Sequence, residues 1–427
     1  MSLSSLTKTL LNFIKNTYSK INTYTGDDRN QLQDSDILFF CHDVDRGVTL
    51  GNKAYSPLVD SLKDFFEEEG IRCITIAHPF SRLTSEYAHG SPISINKPYL
   101  ISRILTKFLP RTARFLSLTP TDLYKKILQK TRAKVVVSID IRRELCAAAH
   151  DLEIFSIELL HGVSHTCLPA GWDVATSKEL PNGILSLSSQ SSLLFSSQTS
   201  PQIEVKTIPH PFLRRFTPAR LSCLPEEWAL PRTDRKKFQK EILISLMWGY
   251  AGDHGPNSPF EGILANGLFP EDLSWAIANR QDIFWRFRLH PVQLRGSKYA
   301  KLRQFIRNYV ACHPNTEWEQ SSTLPLPSIA LHCAGNISMA SSACYDAAAM
   351  GLKSLMLCPT LQSGGINELL FEDLLQEGYI EKHTSSKKLI LDWVDKVKKT
   401  TPRLLNIEDD AAWDEATSWV LKAGKLS

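Results

Sequence analysis

The sequence has no long hydrophobic run, no closely paired cysteines and little excess charge of either sign. No apolar stretch approaches the ~20 residues that a membrane-spanning helix requires. None of the nine cysteines belongs to a CxxC pair, which argues against a structural zinc site and fits a reducing cytoplasm. The net charge of +4 is too small to indicate nucleic-acid binding and is consistent with an anionic substrate.

The sequence contains enough hydrophobic residues to form two hydrophobic cores of ordinary size. Its 427 residues, with 43% hydrophobic and 22% charged side chains, are typical of a globular protein of two domains. Strand-like apolar runs alternate with helical patterns, which predicts parallel sheets covered by helices. We therefore expect an α/β protein in which two Rossmann-like domains face a central cleft, with C-terminal helices packing back.

Composition also predicts the domain boundaries. Prolines and a charged run make residues 216–240 the best linker candidate. We expect an N-terminal domain over 1–215, a C-terminal domain over 241–395 and a helical tail over 396–427. Two short segments, 173–176 and 328–332, are predicted to be strands.

One strand pattern ends in a basic residue, a histidine and a proline. Side-chain alternation over 283–290 places Arg286, Arg288 and His290 on one face of the strand. A histidine at the carboxyl end of a strand can donate a hydrogen bond to a phosphate oxygen. This predicts an anion site; the alternative is a histidine satisfied within a turn, beside solvated arginines.

Small hydroxyl residues precede a predicted alanine-rich helix some fifty residues after His290. Backbone N–H groups at this helix start, with the hydroxyls of Ser341 and Ser342, are suited to a phosphate or diphosphate. Asp346, one turn into the helix, is suited to ribose hydroxyls. The alternative is an ordinary serine N-cap before a closely packed helix.

A glycine pair follows the last predicted strand. Gly364 and Gly365 would let the backbone approach a phosphate, and Glu368 could bind a ribose or a base edge. A plain turn explains the same residues.

Candidates for a general base lie in the first half of the chain. Asp43 and Asp45 follow the first predicted strand beside a histidine, and deprotonating a hydroxyl requires a positioned carboxylate or imidazole. The same DxD pattern can hold a divalent metal, although no cofactor is required by this interpretation. Glu158 and His161, also in the first half, are a second candidate for the base or for acceptor binding. His254 with Asp253 is a third candidate, in a glycine-rich loop of the second half that could contact the donor.

Two segments combine apolar and basic residues. Residues 6–21 lack the sustained apolar core of a signal peptide and predict an amphipathic helix. Residues 97–118 carry arginines and lysines among leucines and phenylalanines. Either segment is a surface element packed on its domain or a peripheral attachment to an anionic membrane face.

These motifs resemble those of bacterial nucleotide-sugar-dependent transferases with the GT-B fold. The resemblance is nearest to the polysialyltransferase-like and CDP-glycerol glycerophosphotransferase-like enzymes of capsule, lipopolysaccharide and wall-polymer synthesis. It is carried by Leu-His-Pro at 289–291, by Ser-Ser at 341–342 ahead of Tyr-Asp-Ala-Ala, and by Leu-His-Gly at 160–162. It departs from the family pattern in lacking a clean Glu/Asp-Glu/Asp-Gly base motif.

The resemblance implies a glycosyltransferase of the cytoplasm or the inner face of the membrane. His290, Ser341 and Ser342 would bind the phosphate of a nucleotide-sugar donor, with a CMP-linked acidic sugar as the leading expectation. An acidic residue of the N-terminal half would activate a glycan or glycolipid acceptor. The alternatives are polyol-phosphate transfer from a CDP-activated donor, a UDP-sugar 2-epimerase, and a catalytically silent subunit that binds nucleotide-sugar.

Overall fold

The chain forms two compact units, each built on its own parallel sheet. A computed structural model describes residues 26–162, 168–169, 171–199, 202–230, 238–247, 264, 268–294, 297–403 and 407–426. The first unit comprises Met1–Phe212 and Asp410–Ser427, and the second comprises Leu213–Asp409. The predicted linker 216–240 falls within the second unit in this division.

The first unit contains eight of the described strands. Six of them form a parallel sheet in the order β4-β1-β5-β6-β7-β8, and β2 pairs with β3 in a small antiparallel hairpin. The strands are β1 Ile37–Cys41, β2 Val48–Leu50, β3 Lys53–Tyr55, β4 Cys73–Ala77, β5 Val135–Ser138, β6 Phe155–Leu159, β7 Gly183–Ser186 and β8 Glu204–Thr207.

Helices cover both faces of this sheet, which explains why all five residues of β1 are buried. Alternation along β1 sends Leu38 and Phe40 into one core cluster and Ile37 and Phe39 into the other. The helices of the unit up to residue 212 are α1 Val59–Glu68, α2 Asn96–Phe108, α3 Pro110–Phe115, α4 Pro120–Thr131, α5 Arg143–Asp151 and α6 Ser189–Gln198.

The second unit repeats the arrangement with a six-stranded parallel sheet. Its order β11-β10-β9-β12-β13-β14 is the doubly wound 3-2-1-4-5-6 order of Rossmann domains. The strands are β9 Lys240–Ser245, β10 Ile283–Arg288, β11 Thr316–Glu317, β12 Gly335–Ser338, β13 Lys353–Met356 and β14 Ile380–Lys382.

Eight described helices of the second unit connect these strands or follow them. They are α7 Glu271–Asn279, α8 Pro291–Leu294, α9 Ala300–Cys312, α10 Glu319–Thr323, α11 Leu326–Ala330, α12 Ala343–Ala349, α13 Glu372–Gln376 and α14 Lys387–Lys396. None of the helices in the described part of the chain is long and apolar enough to cross a membrane.

The last helix, α15 (Ile407–Ala423), returns to the first unit. Trp413 and Val420 join the core cluster on one face of the first sheet, and the ring of Trp413 contacts that of Phe65 edge-on. Trp419 lies so close to Gly183 that a Cβ there would approach the indole to 2.4 Å. The expectation that C-terminal helices pack back is confirmed.

Two predicted strands are wrong. Residues 328–332 overlap α11, because Pro325 and Pro327 at its start fix the backbone angle that a first helical turn needs. Residues 173–176 overlap the 3₁₀ turn Trp172–Val174, and the sheet instead takes the serine-flanked segment Gly183–Ser186. The predicted helix over 6–21 and the predicted loop with His254 lie outside the described residues.

Candidate functional site

Strand order places both groups of predicted site residues at the points where a ligand is expected. In open α/β sheets, ligands bind beyond the carboxyl ends of the strands, where the strand order reverses direction. In the first sheet this point lies between β1 and β5, and in the second sheet it lies between β9 and β12. Asp43 and Asp45 follow β1, whereas Ser341 and Ser342 follow β12.

Asp45 is the carboxylate of the first unit whose environment most favours acid-base chemistry. Burial raises its pKa to about 6, and the charges of His161 and His42 oppose that rise while Asp140 adds to it. Its Oδ2 atom is buried and has no hydrogen-bond partner among the described residues. A carboxylate with this pKa can accept and return a proton near neutral pH.

Asp140 and His161 complete the polar cluster around Asp45. Asp140 follows β5 in a left-handed conformation, with φ 51°. Its Oδ1 lies 3.9 Å from Nδ1 of His161, which follows β6, and both side chains are about half exposed. The cluster is therefore open to a ligand.

Glu158, predicted as a base, instead supports this loop from beneath. It is buried, and its carboxylate accepts hydrogen bonds from the backbone N–H of Asp140 at 3.0 Å and of Ile141 at 2.7 Å. Burial raises its pKa well above the usual range. We assign it the task of positioning the loop that carries Asp140.

The carboxylate of Asp43 also accepts hydrogen bonds from the backbone. Its Oδ2 accepts the N–H of Arg82 at 2.7 Å, and its Oδ1 accepts the N–H of Leu83 at 3.2 Å. Of the two aspartates, Asp45 retains the uncommitted carboxylate oxygen.

Three neighbouring polar side chains belong to the same edge of the sheet. Nδ1 of His42, Nδ1 of His78 and Nε of Arg142 are all buried without a described hydrogen-bond partner. The rings of His42 and His78 lie 5.4 Å apart, and burial together with the charge of Arg142 lowers the pKa of His78 to about 3. His78 and Arg142 were not among the predicted site residues, and their only sequence signal is that each follows a strand.

No group of three or more metal-ligating side chains within the described ranges is placed to hold a metal ion. The DxD pattern does not form such a group, because both carboxylate oxygens of Asp43 already accept hydrogen bonds from backbone N–H groups.

His290 occupies the corresponding edge of the second sheet. The backbone N–H of Val292 donates to its Nδ1 at 3.3 Å, so the neutral ring carries its proton on Nε2. Burial and the neighbouring Arg288 lower the pKa of His290 to about 4. Gln293 fixes the turn by accepting the backbone N–H of His290 at 2.9 Å. The ring is therefore a neutral hydrogen-bond donor at physiological pH.

Arg288 and Asp346 are electrostatically coupled beside it. Burial lowers the pKa of Arg288 to about 10, and the charge of Asp346 opposes that shift. Burial likewise raises the pKa of Asp346 to about 6 against the charge of Arg288. The guanidinium also donates to the carbonyl oxygens of Ser321 and Leu324 at the end of α10. A cation is thus held rigidly beside His290.

Arg286 does not share this environment. Its side chain is fully buried, and its guanidinium forms ion pairs with Glu241 on β9 and Glu317 on β11. Its charge is balanced inside the protein, so we assign it a structural task in place of the predicted phosphate contact.

Ser341 and Ser342 lie on the opposite side of β9 from His290. Arg288 and Ser338 both pair with Ser245, so β10 and β12 flank β9 and lie about 10 Å apart. Ser341 accepts the N–H of Ala343 at 3.3 Å, whereas Ser342 is exposed and its side chain makes no capping bond.

The glycine pair forms a self-contained turn after β13. The N–H of Gly364 donates to the carboxylate of Glu368 at 2.8 Å, and Gly364 has φ 78°. A Cβ on Gly365 would come within 2.3 Å of the carbonyl oxygen of Thr360. These glycines are explained by the turn, and Glu368 is occupied within it.

No protein-family model matches the sequence, and no curated protein matches it. Solved structures are nevertheless similar in fold. The UDP-GlcNAc 2-epimerase from Neisseria meningitidis bound to UDP-GlcNAc is 12% identical, with a TM-score of 0.52 over 90% of this chain and 99% of that one. The MnaA–UDP structure from S. aureus is 12% identical, with a TM-score of 0.52, and the match covers 92% of this chain and 97% of that chain.

A glycosyltransferase, VinC in complex with DTDP, is similar to the same degree. It is 10% identical, with a TM-score of 0.51, and the match covers 92% of this chain and 100% of that chain. At such low identity these likenesses establish the fold alone. The chain has the GT-B fold, with two Rossmann-like units, as the sequence predicts.

Proposed function

We propose that this protein transfers a group from a nucleotide-activated donor to a hydroxyl of an acceptor. The observation that carries the proposal is Asp45, a carboxylate with a pKa of about 6 that follows β1 at the ligand-binding edge of the first sheet and whose buried Oδ2 has no described hydrogen-bond partner. Transfer to a hydroxyl needs a proton acceptor of this kind. His161 and Asp140 lie close enough to tune it electrostatically.

In the proposed reaction, Asp45 takes the proton of the acceptor hydroxyl. The acceptor oxygen forms a bond to the anomeric carbon of the donor sugar as the bond from that carbon to the phosphate oxygen breaks. The bonding electrons leave with the nucleotide phosphate.

The residues of the second unit suit the departing phosphate. His290 has a neutral ring with its proton on Nε2, and Arg288 supplies a fixed positive charge nearby. Fixed donors and charges of this kind stabilise developing negative charge without reorganising during the reaction. Ser342 contributes an exposed hydroxyl on the other side of β9, and we assign these three residues to donor binding with Ser341 and Asp346.

The finer assignment follows the sequence resemblance. We propose a CMP-linked acidic sugar as the donor, a surface polysaccharide or glycolipid as the acceptor, and a cytoplasmic location at the inner face of the membrane. We propose on this basis a likeness in function to the polysialyltransferase-like and glycerophosphotransferase-like enzymes. Polyol-phosphate transfer from a CDP-linked donor would use the same residues.

A second candidate function is epimerisation of a UDP-sugar. It is supported by fold, because two of the similar structures hold UDP or UDP-GlcNAc and one of them is named a 2-epimerase. An epimerase would need acid-base groups at the sugar, and Asp45 with His161 would also fit that need.

Nucleotide release and nucleotide binding, measured in parallel over CMP-, CDP-, UDP- and GDP-linked compounds, test the proposal. We expect one class to release its nucleotide when an acceptor is present. Conversion of a UDP-sugar to its epimer without transfer would replace the proposal with the second candidate. Binding without turnover would indicate a silent subunit, and the absence of binding to every donor would refute the proposal.

A further inference from the structure

Two short helices of the first unit expose a concentration of large apolar side chains. We refer to residues 96–118, which contain α2, α3 and the turn after α3, as the elbow. Its exposed apolar side chains include that of Phe115, which is 87% exposed, and the full set is Ile101, Leu109, Phe115, Leu116 and Leu118. Exposed apolar side chains clustered in this way mark an interaction surface.

The charge of the elbow has one sign. Residues 97–118 contain five lysines and arginines and no aspartate or glutamate. Arg103 pairs with Glu144, whereas Arg111 and Arg114 are exposed and make no ion pair with any residue that the structure describes. The elbow therefore offers positive charge beside apolar side chains.

A groove of about 390 Å³ opens next to the elbow. Ile101 and Leu118 of the elbow line it together with Lys97 and Lys126. Asp27 also lines the groove, but it is paired with Arg29 at 2.7 Å. Lys126 donates to the carbonyl oxygen of Ser117 at 2.9 Å, which holds its ammonium group at this rim. The groove thus extends the same pairing of apolar and cationic groups.

We infer that the elbow is the surface by which this protein docks onto an anionic phospholipid bilayer. Phe115, Leu116 and Leu109 would enter the boundary between headgroups and acyl chains, as the apolar side chains of interfacial helices do. Arg111 and Arg114 would meet lipid phosphates, because cations near an anionic leaflet are attracted to it. The surface has the charge complementary to such a leaflet and contains no acidic residue to oppose it.

This inference deepens the membrane location proposed above and does not depend on the transfer reaction. Docking is measured on the full-length protein with vesicles alone, without donor or acceptor. A failure of transfer therefore leaves it standing, and a failure of docking leaves the transfer reaction standing.

Co-sedimentation with phosphatidylcholine vesicles, with and without phosphatidylglycerol, tests the inference. We expect binding only to the anionic vesicles, weakening as salt is raised. The double variant Phe115→Ser/Leu116→Ser should bind at least about tenfold more weakly, because two apolar side chains no longer leave water. Arg111→Gln/Arg114→Gln should also weaken binding about tenfold or more.

Matched variants elsewhere provide the controls. Leu193→Ser removes a side chain that is 73% exposed on α6, and Lys388→Gln/Lys396→Gln removes two exposed cations on α14. Both should bind vesicles as the wild type does. Wild-type protein that ignores anionic vesicles, as it would if the elbow bound a protein partner instead, would overturn the inference. Elbow variants that bind the vesicles normally, as they would if residues 1–25 provided the attachment, would also overturn it.

Discussion

The carboxylate of Glu158 holds the backbone of Asp140, accepting its N–H at 3.0 Å from a position buried beneath the loop. Asp140 sits there with φ 51°, in the left-handed region that aspartate adopts more readily than most residues other than glycine. The buried acid thus determines where the exposed one lies. Part of the candidate site is therefore controlled from the interior of the sheet.

Replacing Glu158 should lower the free energy of unfolding, because Glu158 holds the loop that carries Asp140. Glu158→Ala leaves the N–H groups of Asp140 and Ile141 without their acceptor, and each buried orphan costs about 1–3 kcal/mol. Glu158→Gln keeps one carbonyl oxygen and should cost less. Urea denaturation measures both, and an alanine variant as stable as the wild type would contradict the assignment.

Asp45 and Asp43 should differ sharply when each is replaced by asparagine. Asp45→Asn removes the proposed proton acceptor, so transfer should fall about 100-fold or more while donor binding stays near normal. Asp43→Asn should retain more transfer, because the amide oxygen can still accept one of the two backbone N–H groups. Donor binding and transfer rates are measured separately. Unchanged transfer in both variants would move the base to His161.

The transfer rate should depend on pH through Asp45. Its pKa of about 6 means that the carboxylate accepts protons above pH 6 and is increasingly protonated below it. The rate should therefore be level above pH 6 and fall about tenfold per pH unit well below it. The pKa of His290, about 4, keeps that ring neutral from pH 5 to 8, so a change in donor affinity over that range should follow Asp346, whose pKa is about 6. A rate that rises on acidification would exclude Asp45 as the base.

His290→Ala should abolish transfer without unfolding the protein. The variant loses the Nε2–H that we assign to the donor phosphate, and a charge-assisted hydrogen bond contributes about 1.5–3 kcal/mol. Donor affinity should fall by about tenfold or more, as measured by titration calorimetry. His383→Ala, which removes a half-exposed histidine of the same unit, serves as the control. Wild-type turnover in the His290 variant would refute the donor assignment.

Arg286→Met should destabilise the protein more than it affects donor binding. The substitution leaves Glu241 and Glu317 as uncompensated acids beside a buried site, and breaking a buried ion pair in this way costs about 3–5 kcal/mol. The urea midpoint should fall, while donor affinity measured on the folded variant should not. A stable variant that no longer binds donor would restore the phosphate contact predicted from the sequence.

Residues that follow strands could be placed from the sequence, and their partners could not. His290 and Ser341 were predicted at one edge of one sheet because the carboxyl ends of parallel strands share an edge. Side-chain alternation along the strand predicts the face on which Arg286 lies. It does not predict the ion-pair partners of Arg286, because Glu241 on β9 is 45 residues away in the sequence and Glu317 on β11 is 31 residues away. Asp140 lies in no recognisable motif, and only the pairing of β5 with β6 brings its loop to Glu158.

The return of α15 to the first sheet has a consequence for the order in which the chain folds during synthesis. Residues Leu213–Asp409 form an uninterrupted unit, so the second sheet can assemble as soon as they leave the ribosome. The first unit emerges earlier but waits for Trp413, Ala416 and Val420 to close one face of its core. Until then, the part of this face that α15 covers stays open, whereas α1 covers β1 through Val59, Leu62 and Phe66. The half of the protein that is made first is therefore completed last, and it is the half that a chaperone would be needed to shield.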